Sequence, residues 1–374
     1  MKKISKILIL VLALTLFTGI LASCQPADTT NVTSATTTAA TTAAATTAAT
    51  TSLETTTAAS TTTAQTSGEA TAAVFPVTVT NAVGEDVIIA SKPVSIIVTN
   101  VWAGEILLDM ITADRIKGLS QWNDDAVLSA TAGKAAAIAA RVSTLEPEKI
   151  VDLSPDLVII DTFSDADGSL TRTLTDAGAT VLQLASPTNF DQIKAAIGTL
   201  AAAVGEVDTG TRMVADIDAA LTSVAEKLSS LKEEDKQTVM FYDTHYDANG
   251  NDDGMLAAYG KASPFNAIAE AAGLINICDM DFYAPVSKEK VVGEWKPDLL
   301  VVPGITYGAD FSVVDDKGAS FLNAIKADPL LATVPAVANG RMTALTAAYG
   351  GSTSQYMVLA VEELAAFAYP ELMK

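Results

Sequence analysis

The chemistry open to this chain is restricted by its single histidine, His245. No cysteine lies beside it in the sequence, and no second histidine is available for a Cys-His pair or a triad. The chain also lacks the phosphate loop G-x-x-x-x-G-K-[ST] and the dinucleotide fingerprint G-x-G-x-x-G. Its 44 acidic residues still allow paired carboxylates, so a carboxylate-based hydrolase stays open as an enzyme class. These residue types favour binding over catalysis, and we expect no enzyme activity and no cofactor.

One acidic segment has part of the pattern of a calcium-binding loop. It is DANGNDDG, which begins at Asp247. Asp252 stands where that loop needs its sharp-turn glycine, and Ala258 stands where it needs a bidentate glutamate. The mixture of Gly, Asn and Asp is typical of ordinary turns. We therefore assign no metal site.

Aromatic residues are the side chains best placed for ligand contact. They follow predicted strands in both halves of the chain: Trp102, Trp122, Phe163, Tyr246, Tyr307 and Tyr349. Ligands of open α/β sheets meet the loops beyond the carboxyl ends of the strands, and large flat side chains suit a bulky, partly apolar ligand. Core packing explains any one of them equally well. His245 is predicted to be a polar group of the same cleft or an axial ligand to a metal centre, although a structural histidine is the commoner role.

The elements that would position these residues occur twice. EKIVDLSPDLVII begins at Glu148, and EKVVGEWKPDLLVV begins at Glu289. Each combines an amphipathic helix, a Pro-Asp pair that stops it and an apolar run typical of a strand in a parallel sheet. Pro147 suits the first turn of one helix, and Ser287 could cap the other.

The repeat and the strand–helix alternation around it predict an α/β fold. We expect two Rossmann-like lobes with parallel sheets and a ligand cleft between the lobes. Chance similarity between two generic helix–strand units is the alternative explanation of the repeat taken alone.

One long helix is predicted to join the two lobes. Its apolar residues recur at three- and four-residue spacing and form a single stripe: Met213, Ile217, Leu221, Val224 and Leu228. A helical connection limits the relative movement of the lobes. We predict an N-terminal lobe over 75–205, the connecting helix over 206–235 and a C-terminal lobe over 236–374.

The first 74 residues have the composition of targeting and linker segments. A lysine-rich start precedes a long apolar stretch, so residues 1–23 are predicted to be a secretory signal peptide. The LASC sequence ending at Cys24 resembles the bacterial lipobox, whose cysteine receives the lipid. Residues 24–74 are dominated by Thr and Ala and have too little apolar bulk to fold, so they are predicted to be a disordered tether.

The formal net charge of the chain is −21. This acidity argues against nucleic acid or an anionic membrane surface as a partner, because both attract basic patches. A solvated acidic surface explains most of the charges. Cys278 is left without a partner thiol once Cys24 is modified, and we expect it to be a small buried residue.

Taken in order, these features resemble the substrate-binding lipoproteins of ABC importers. The resemblance covers residues 75–374 and includes VTVTNAVGEDVIIASKPVSIIV, LEPEKIVDLSPDLVII, VSKEKVVGEWKPDLLVV and the ending VANGRMTAL…YPELMK. The most similar group is the iron-siderophore and cobalamin type, with a helical backbone between its lobes. It implies a monomer, lipid-anchored on the extracytoplasmic face of a bacterial cell membrane, that delivers a bulky metal chelate to a permease dimer. A haem-binding protein of the same family, a carboxylate-based hydrolase and a stalked surface adhesin are the alternatives.

The resemblance also implies a docking role for Glu148 and Glu289. They match the acid that, on each lobe of this family, docks onto arginines of the permease, although a helix dipole also favours glutamate in a first turn. Strongly anionic catecholate siderophores require clustered cations, and Arg141 and Lys261 are the nearest candidates. The remaining candidate ligands are corrinoids, hydroxamate siderophores and haem held by a tyrosine or His245. Of these we favour a corrinoid or a siderophore.

Overall fold

A computed structural model describes residues 74–246, 252–307 and 312–374, without the side chains of residues 245, 246 and 252–254. The predicted signal peptide, the lipidation site Cys24 and the predicted tether up to residue 73 lie outside the described residues. Most of the calcium-like segment that begins at Asp247 lies outside them too. Within the described residues, no helix combines the length and the apolar character needed to cross a membrane.

The N-terminal lobe consists of an antiparallel hairpin and a parallel sheet. The hairpin strands are β1 (Val77–Thr80) and β2 (Asp86–Ile89). The sheet strands are β3 (Ile96–Val98), β4 (Ile116–Ser120), β5 (Ala140–Val142), β6 (Leu157–Asp161) and β7 (Thr180–Leu184). Their order across the sheet is β5-β4-β3-β6-β7, and all neighbours are parallel. The central strands β3 and β6 are buried along their whole length, as their continuous apolar sequences predict.

Five helices connect these strands or cover the sheet. They are α1 (Val101–Met110), α2 (Ala132–Ala135), α3 (Pro147–Asp152), α4 (Ser169–Asp176) and α5 (Phe190–Val204). The amide oxygens of Asn100 and Asn189 cap α1 and α5 by accepting from backbone N–H groups in their first turns. Gly205 ends α5 in the left-handed conformation, with φ at 72°.

The predicted linking helix is observed as α6 (Val207–Lys227). Its predicted stripe faces inward, since Ile217 and Val224 are buried. Gly210 lets α6 cross α5 closely, because a Cβ there would lie 2.4 Å from the Cβ of Ala201. The helix ends eight residues before the predicted limit of 235, and the lobe bounds of 75–205 and 236–374 stay our proposal.

The C-terminal lobe contains a larger and mixed sheet. Its strands and the adjoining small hairpin are β8 (Thr238–Tyr246), β9 (Asp252–Tyr259), β10 (Ile275–Asn276), β11 (Tyr283–Val286), β12 (Leu299–Val302), β13 (Thr306–Tyr307), β14 (Val313–Val314) and β15 (Met342–Ala344). The order is β11-β9-β8-β12-β15, with β10 also paired to β8. β10, β12 and β15 run parallel to the central part of the sheet, as predicted, whereas β9 and β11 are antiparallel additions.

The described residues of this lobe also form six helices. They are α7 (Pro264–Ala271), α8 (Lys288–Lys290), α9 (Ala319–Ala327), α10 (Pro335–Ala338), α11 (Ala347–Gly350) and α12 (Met357–Ala368). A π-helical turn, Val291–Trp295, continues α8. The architecture of two α/β lobes joined by one long helix is confirmed.

The sequence repeat is also a repeat of conformation at the turn around each Pro-Asp pair. Ser154 and Lys296, which precede the two Pro-Asp pairs, both adopt the left-handed backbone conformation, with φ at 50° and 46°. Asp156 accepts hydrogen bonds from the N–H groups of residues 94 and 95, at the entry to β3. Asp298 accepts from the N–H and the hydroxyl of Thr238, at the start of β8. Each Pro-Asp carboxylate therefore ties its own strand to the neighbouring central strand.

Candidate functional site

The N-terminal sheet brings three of the predicted aromatic residues to one edge. Trp102 lies in α1, directly after β3, while Trp122 and Phe163 lie in short 3-10 turns, Gln121–Asp124 and Thr162–Asp165, after β4 and β6. These three strands are adjacent and parallel. Their carboxyl ends therefore lie side by side, where ligands of α/β sheets bind.

The three aromatic side chains differ in their access to solvent. Phe163 is 49% exposed, Trp122 is partly buried and Trp102 is only 5% exposed. The indole Nε1 of Trp102 donates to Asp161 Oδ2 at 3.2 Å. Asp161 also accepts from the backbone N–H of Phe163 at 2.7 Å and from the hydroxyl of Ser186. Trp102 thus packs beneath this edge of the sheet, and Phe163 and Trp122 are the more accessible of the three aromatic side chains.

A glycine holds the Trp122 turn against α1. A Cβ at Gly104 would lie 2.6 Å from Nδ2 of Asn123, which is fully buried and donates to the carbonyl of Val101 at 3.3 Å. Only glycine allows the turn and the helix to approach so closely. Gly104 therefore leaves room for the buried side chain of Asn123, the residue after Trp122, against α1.

The C-terminal lobe places its predicted residues at the corresponding edge. Tyr307 lies in β13, shortly after β12, and is 47% exposed. Tyr349 lies in α11, shortly after β15, and is partly buried. His245 and Tyr246 end β8 at the same edge, but their side chains lie outside the described residues.

A hydrogen-bonded pair of a partly buried acid and a buried phenol beneath this edge was missing from the predicted site. The hydroxyl of Tyr259 donates to Asp243 Oδ2 at 2.9 Å. Burial raises the pKa of Asp243 to about 6, and burial followed by the nearby Asp243 charge raises the pKa of Tyr259. The ring of Tyr259 packs against Phe265 and Tyr283, with centroids 4.6 and 5.2 Å apart. The available signal was the apolar run MLAAY, which ends at Tyr259 and forms most of β9.

The described turns at the two edges contain no cation. None of the turns that directly follow β3, β4, β6, β7, β12 and β15 includes a lysine or an arginine. Arg141 donates from Nε to Asp124 Oδ2 at 2.5 Å and also binds three backbone carbonyls. Lys261 donates to the carbonyl of Asn276. Both cations that the sequence suggested for an anionic ligand are therefore engaged within the protein.

An open cavity of about 300 Å³ lies between the two lobes. Its walls include Ser129, Ala130, Thr346, Tyr349, Tyr356 and Leu359. The segment around Ser129 follows β4, and Thr346 and Tyr349 follow β15. The cavity therefore shows that Tyr349 faces the N-terminal lobe. A second open cavity, of about 460 Å³, lies along α6 beside Asp109 and contains none of the predicted site residues.

The described residues offer no cluster of three or more His, Cys, Asp or Glu side chains arranged to hold a metal ion. Cys278 is fully buried, as expected, and burial raises the pKa of its thiol to about 12. That thiol is therefore protonated and shielded at neutral pH.

Glu148 and Glu289 occupy matching places on the two lobes. Each lies in the first turn of its helix, and each is exposed. Pro147 opens α3, and the hydroxyl of Ser287 caps α8 by accepting from the N–H of Lys290 at 3.1 Å, as predicted. Among the described residues, neither carboxylate has an ion-pair or hydrogen-bond partner.

A double-lobed α/β fold with its strand ends facing a cleft is the architecture of a solute-binding protein. Residues 96–349 match the periplasmic binding protein family, and the chain belongs to that family. This is a family of binding proteins and not an enzyme class.

Individual relatives agree with this assignment. The chain is 24% identical over 314 residues to an uncharacterized ABC transporter substrate-binding lipoprotein of Bacillus subtilis, covering 80% of this chain and 88% of the relative. A periplasmic heme-binding protein of Roseiflexus sp. RS-1 has a similar fold, with a TM-score of 0.60 and 20% identity over 75% of this chain and 99% of that one. A Helicobacter pylori protein solved with Ni(II) bound has a TM-score of 0.60 and 22% identity, covering 79% of this chain and 90% of that one.

Proposed function

We propose that this protein is the extracytoplasmic substrate-binding lipoprotein of an ABC importer and that its ligand is a bulky metal chelate, a cobalamin-like corrinoid or a ferric siderophore of low charge. Cys24 provides the lipid anchor at the outer face of a bacterial cell membrane, and residues up to 74 link it to the monomeric folded body. The Bacillus subtilis relative, itself named a substrate-binding lipoprotein, supports the lipid anchor and the importer.

The composition of the two facing edges is the observation that supports this ligand class. Phe163, Trp122, Tyr307 and Tyr349 offer aromatic surface from both lobes, and the described turns around them have no lysine or arginine. Aromatic faces bind a large ligand with apolar surface, whereas a strongly anionic chelate needs cations for its charge. Since Arg141 is already paired with Asp124, a catecholate siderophore has no evident counter-charge here.

Haem is the second candidate. A tyrosine can serve as an axial ligand of haem iron, and Tyr307 is a half-exposed tyrosine at the C-terminal edge. The likeness of fold to the heme-binding protein of Roseiflexus is consistent with this candidate but extends to the fold alone.

Tryptophan fluorescence separates the ligand classes. Of the three tryptophans, Trp102 and Trp295 are buried and Trp122 is partly buried at the cleft edge. We expect cyanocobalamin or a ferric hydroxamate siderophore to quench the fluorescence saturably. Trp122→Phe should remove most of the quenching, and the control Trp295→Phe should retain it. Saturable binding of an amino acid or a sugar, with no response to the chelates or to haem, would refute the proposed ligand class.

We further propose that Glu148 and Glu289 dock the protein onto the permease dimer. Their matching positions, exposure and lack of described partners support this role, since unpaired exposed carboxylates can form charge-assisted bonds with arginines of a partner. A permease dimer with two-fold symmetry would contact both lobes at the same time.

A double variant tests the docking role. Glu148→Ala with Glu289→Ala should abolish most uptake by the cognate importer while ligand affinity and thermal stability stay nearly unchanged. The matched control is Glu146→Ala with Glu294→Ala, which removes two other exposed carboxylates from the same two segments. Normal uptake by the first variant, or equal loss in the control, would refute the specific role of the two glutamates.

A further inference from the structure

A fully buried carboxylate receives hydrogen bonds from both lobes. Glu105 lies in α1 of the N-terminal lobe and has no solvent exposure. Its Oε1 accepts from the hydroxyl of Ser129 at 3.0 Å and from the N–H of Ala130 at 2.7 Å, both in the same lobe. Its Oε2 accepts from the hydroxyls of Ser352 and Ser354, which precede α12 in the C-terminal lobe. One carboxylate thus joins segments about 250 residues apart in the chain.

The next turn of α1 makes a second contact of the same kind. Asp109 Oδ2 accepts from Nε2 of Gln355 at 2.8 Å and from the hydroxyl of Tyr356 at 2.7 Å. Gln355 Nε2 also donates to the backbone carbonyl of Glu105 at 3.2 Å. Asp109 Oδ1 pairs with Lys134 of its own lobe. Together Glu105 and Asp109 with residues 352–356 form what we call the interlobe clasp.

A buried charge is a costly way to hold two surfaces together. Burial raises the pKa of Glu105, although four hydrogen bonds oppose the effect, so the charge gains less from its donors than it loses on leaving water. A well-packed apolar side chain would hold the lobes at lower cost, but over a wider range of relative positions. Hydrogen bonds to a single carboxylate are directional, and the two from Ser352 and Ser354 form only over a narrow range of separation and orientation of the lobes.

We propose that Glu105 is a positioning residue and that the interlobe clasp sets the separation of the two lobes in addition to α6. Tyr356 of the clasp lines the 300 Å³ cavity, and so do Ser129 and Ala130, which donate to Glu105. A change in the clasp therefore changes the width of the cleft beside it. This inference concerns the geometry of the body, and its test needs no ligand, so it stands or fails separately from the proposed function.

Distance measurement between two spin labels tests the clasp directly. Thr175→Cys in α4 and Ala324→Cys in α9 place exposed labelling sites on helices of different lobes. The full chain carries Cys24→Ser to remove the lipid site. The native Cys278 can stay, because it is buried and its thiol pKa is raised to about 12.

Ser352→Ala with Ser354→Ala removes the donors of the C-terminal lobe and leaves Glu105 in place. We expect a longer mean distance and a broader distribution, because separation lets water reach the carboxylate that has lost two of its donors. The matched control is Ser263→Ala, which removes a buried hydroxyl that donates to Gly260 within the C-terminal lobe at 2.7 Å. Its distribution should equal that of the parent protein.

Variants at Glu105 itself give a second arm. Glu105→Gln keeps an acceptor for Ala130 and can donate to the serine oxygens after their hydroxyls rotate, so it should restore nearly the parent distance. Glu105→Ala removes the shared acceptor and should reproduce the broad distribution of the serine variant. An unchanged distribution in the folded serine variant, or an equal change in Ser263→Ala, would overturn the clasp as the device that sets lobe separation.

Discussion

The two lobes contain a similar helix–Pro-Asp–strand unit, which is α-helical before the Pro-Asp pair in the N-terminal lobe and π-helical there in the C-terminal lobe, but they build different sheets around it. In the N-terminal lobe β6 lies within a sheet whose five strands are all parallel. In the C-terminal lobe β12 lies beside β8, which also pairs with the antiparallel β9. The repeated unit therefore fixes how the central strands enter each sheet. The strands around it, which differ between the lobes, determine which side chains lie at the carboxyl edge of each sheet.

Both edges use a carboxylate to hold an aromatic residue, but the pairs do not correspond. Asp161 ends the repeated strand β6 and binds the indole of Trp102. In the C-terminal lobe the acid is Asp243, on β8, and its partner Tyr259 comes from the added strand β9. Each lobe therefore organises its ligand edge with its own turns. The two lobes therefore share a scaffold around the Pro-Asp pair but differ in the side chains that organise their carboxyl edges.

Truncation of the first leucine in each repeated strand should have the largest effect. Leu157 and Leu299 are fully buried in one continuous core that includes side chains of both lobes. Leu157→Ala and Leu299→Ala should each lower the free energy of unfolding by about 2–5 kcal/mol. Because the core is shared, urea denaturation should show one transition that both variants shift. The exposed Leu145→Ala serves as the control and should change little. Two separate transitions, each sensitive to one variant, would contradict a shared core.

Removal of the Pro-Asp carboxylates should have a smaller and nearly equal effect in the two lobes. Asp156→Ala leaves two N–H groups at the entry to β3 without their acceptor, and Asp298→Ala leaves the N–H and the hydroxyl of Thr238 at β8 without theirs. We expect each variant to lower the free energy of unfolding by about 1–3 kcal/mol. The effect of Asp298→Ala should lie at the lower end of this range because Asp298 is more exposed than Asp156. An Asp→Asn substitution at either site keeps one acceptor oxygen, so it should lower the melting temperature less than the Asp→Ala substitution does. A loss confined to one lobe would show that the repeat is similar in sequence but unequal in structural role.

The repeated units and the linking helix could be predicted because their signals are local. Leu157–Asp161 and Leu299–Val302 are short apolar runs bounded by Pro-Asp, and the stripe of α6 repeats at helical spacing. The antiparallel strand β9 was missed because it begins within a Gly/Asn/Asp-rich segment typical of a loop. A strand of that kind is defined by its partner more than by its own sequence.

The site could be predicted only in outline. Aromatic residues after strands identify the edge, but the sequence does not distinguish Phe163, which is half exposed, from Trp102, which is buried and bonded to Asp161. The interlobe clasp was beyond sequence reasoning for a different reason. Glu105 resembles any acid on an amphipathic helix, and its serine partners lie about 250 residues away. Contacts over such separations leave no periodic signal in a single sequence.

The smallest expected effect tests whether the repeat extends to backbone strain. Ser154 and Lys296 are exposed, have left-handed backbone conformations and are not glycine, which costs roughly 1–2 kcal/mol for a residue with a Cβ. Ser154→Gly and Lys296→Gly should relieve that strain, while the greater freedom of glycine in the unfolded chain offsets about 0.4–1 kcal/mol of the gain. We therefore expect both variants to be slightly more stable than the parent in urea denaturation, by similar amounts. Ser229→Gly, at an exposed position with no positive φ, is the control and should not stabilise the protein. If only one of the two glycine variants is stabilised, the left-handed conformation is strained in one lobe and not in the other. The two lobes would then be equivalent in backbone conformation at this turn and in the hydrogen bonds of the Pro-Asp carboxylates, but not in backbone strain.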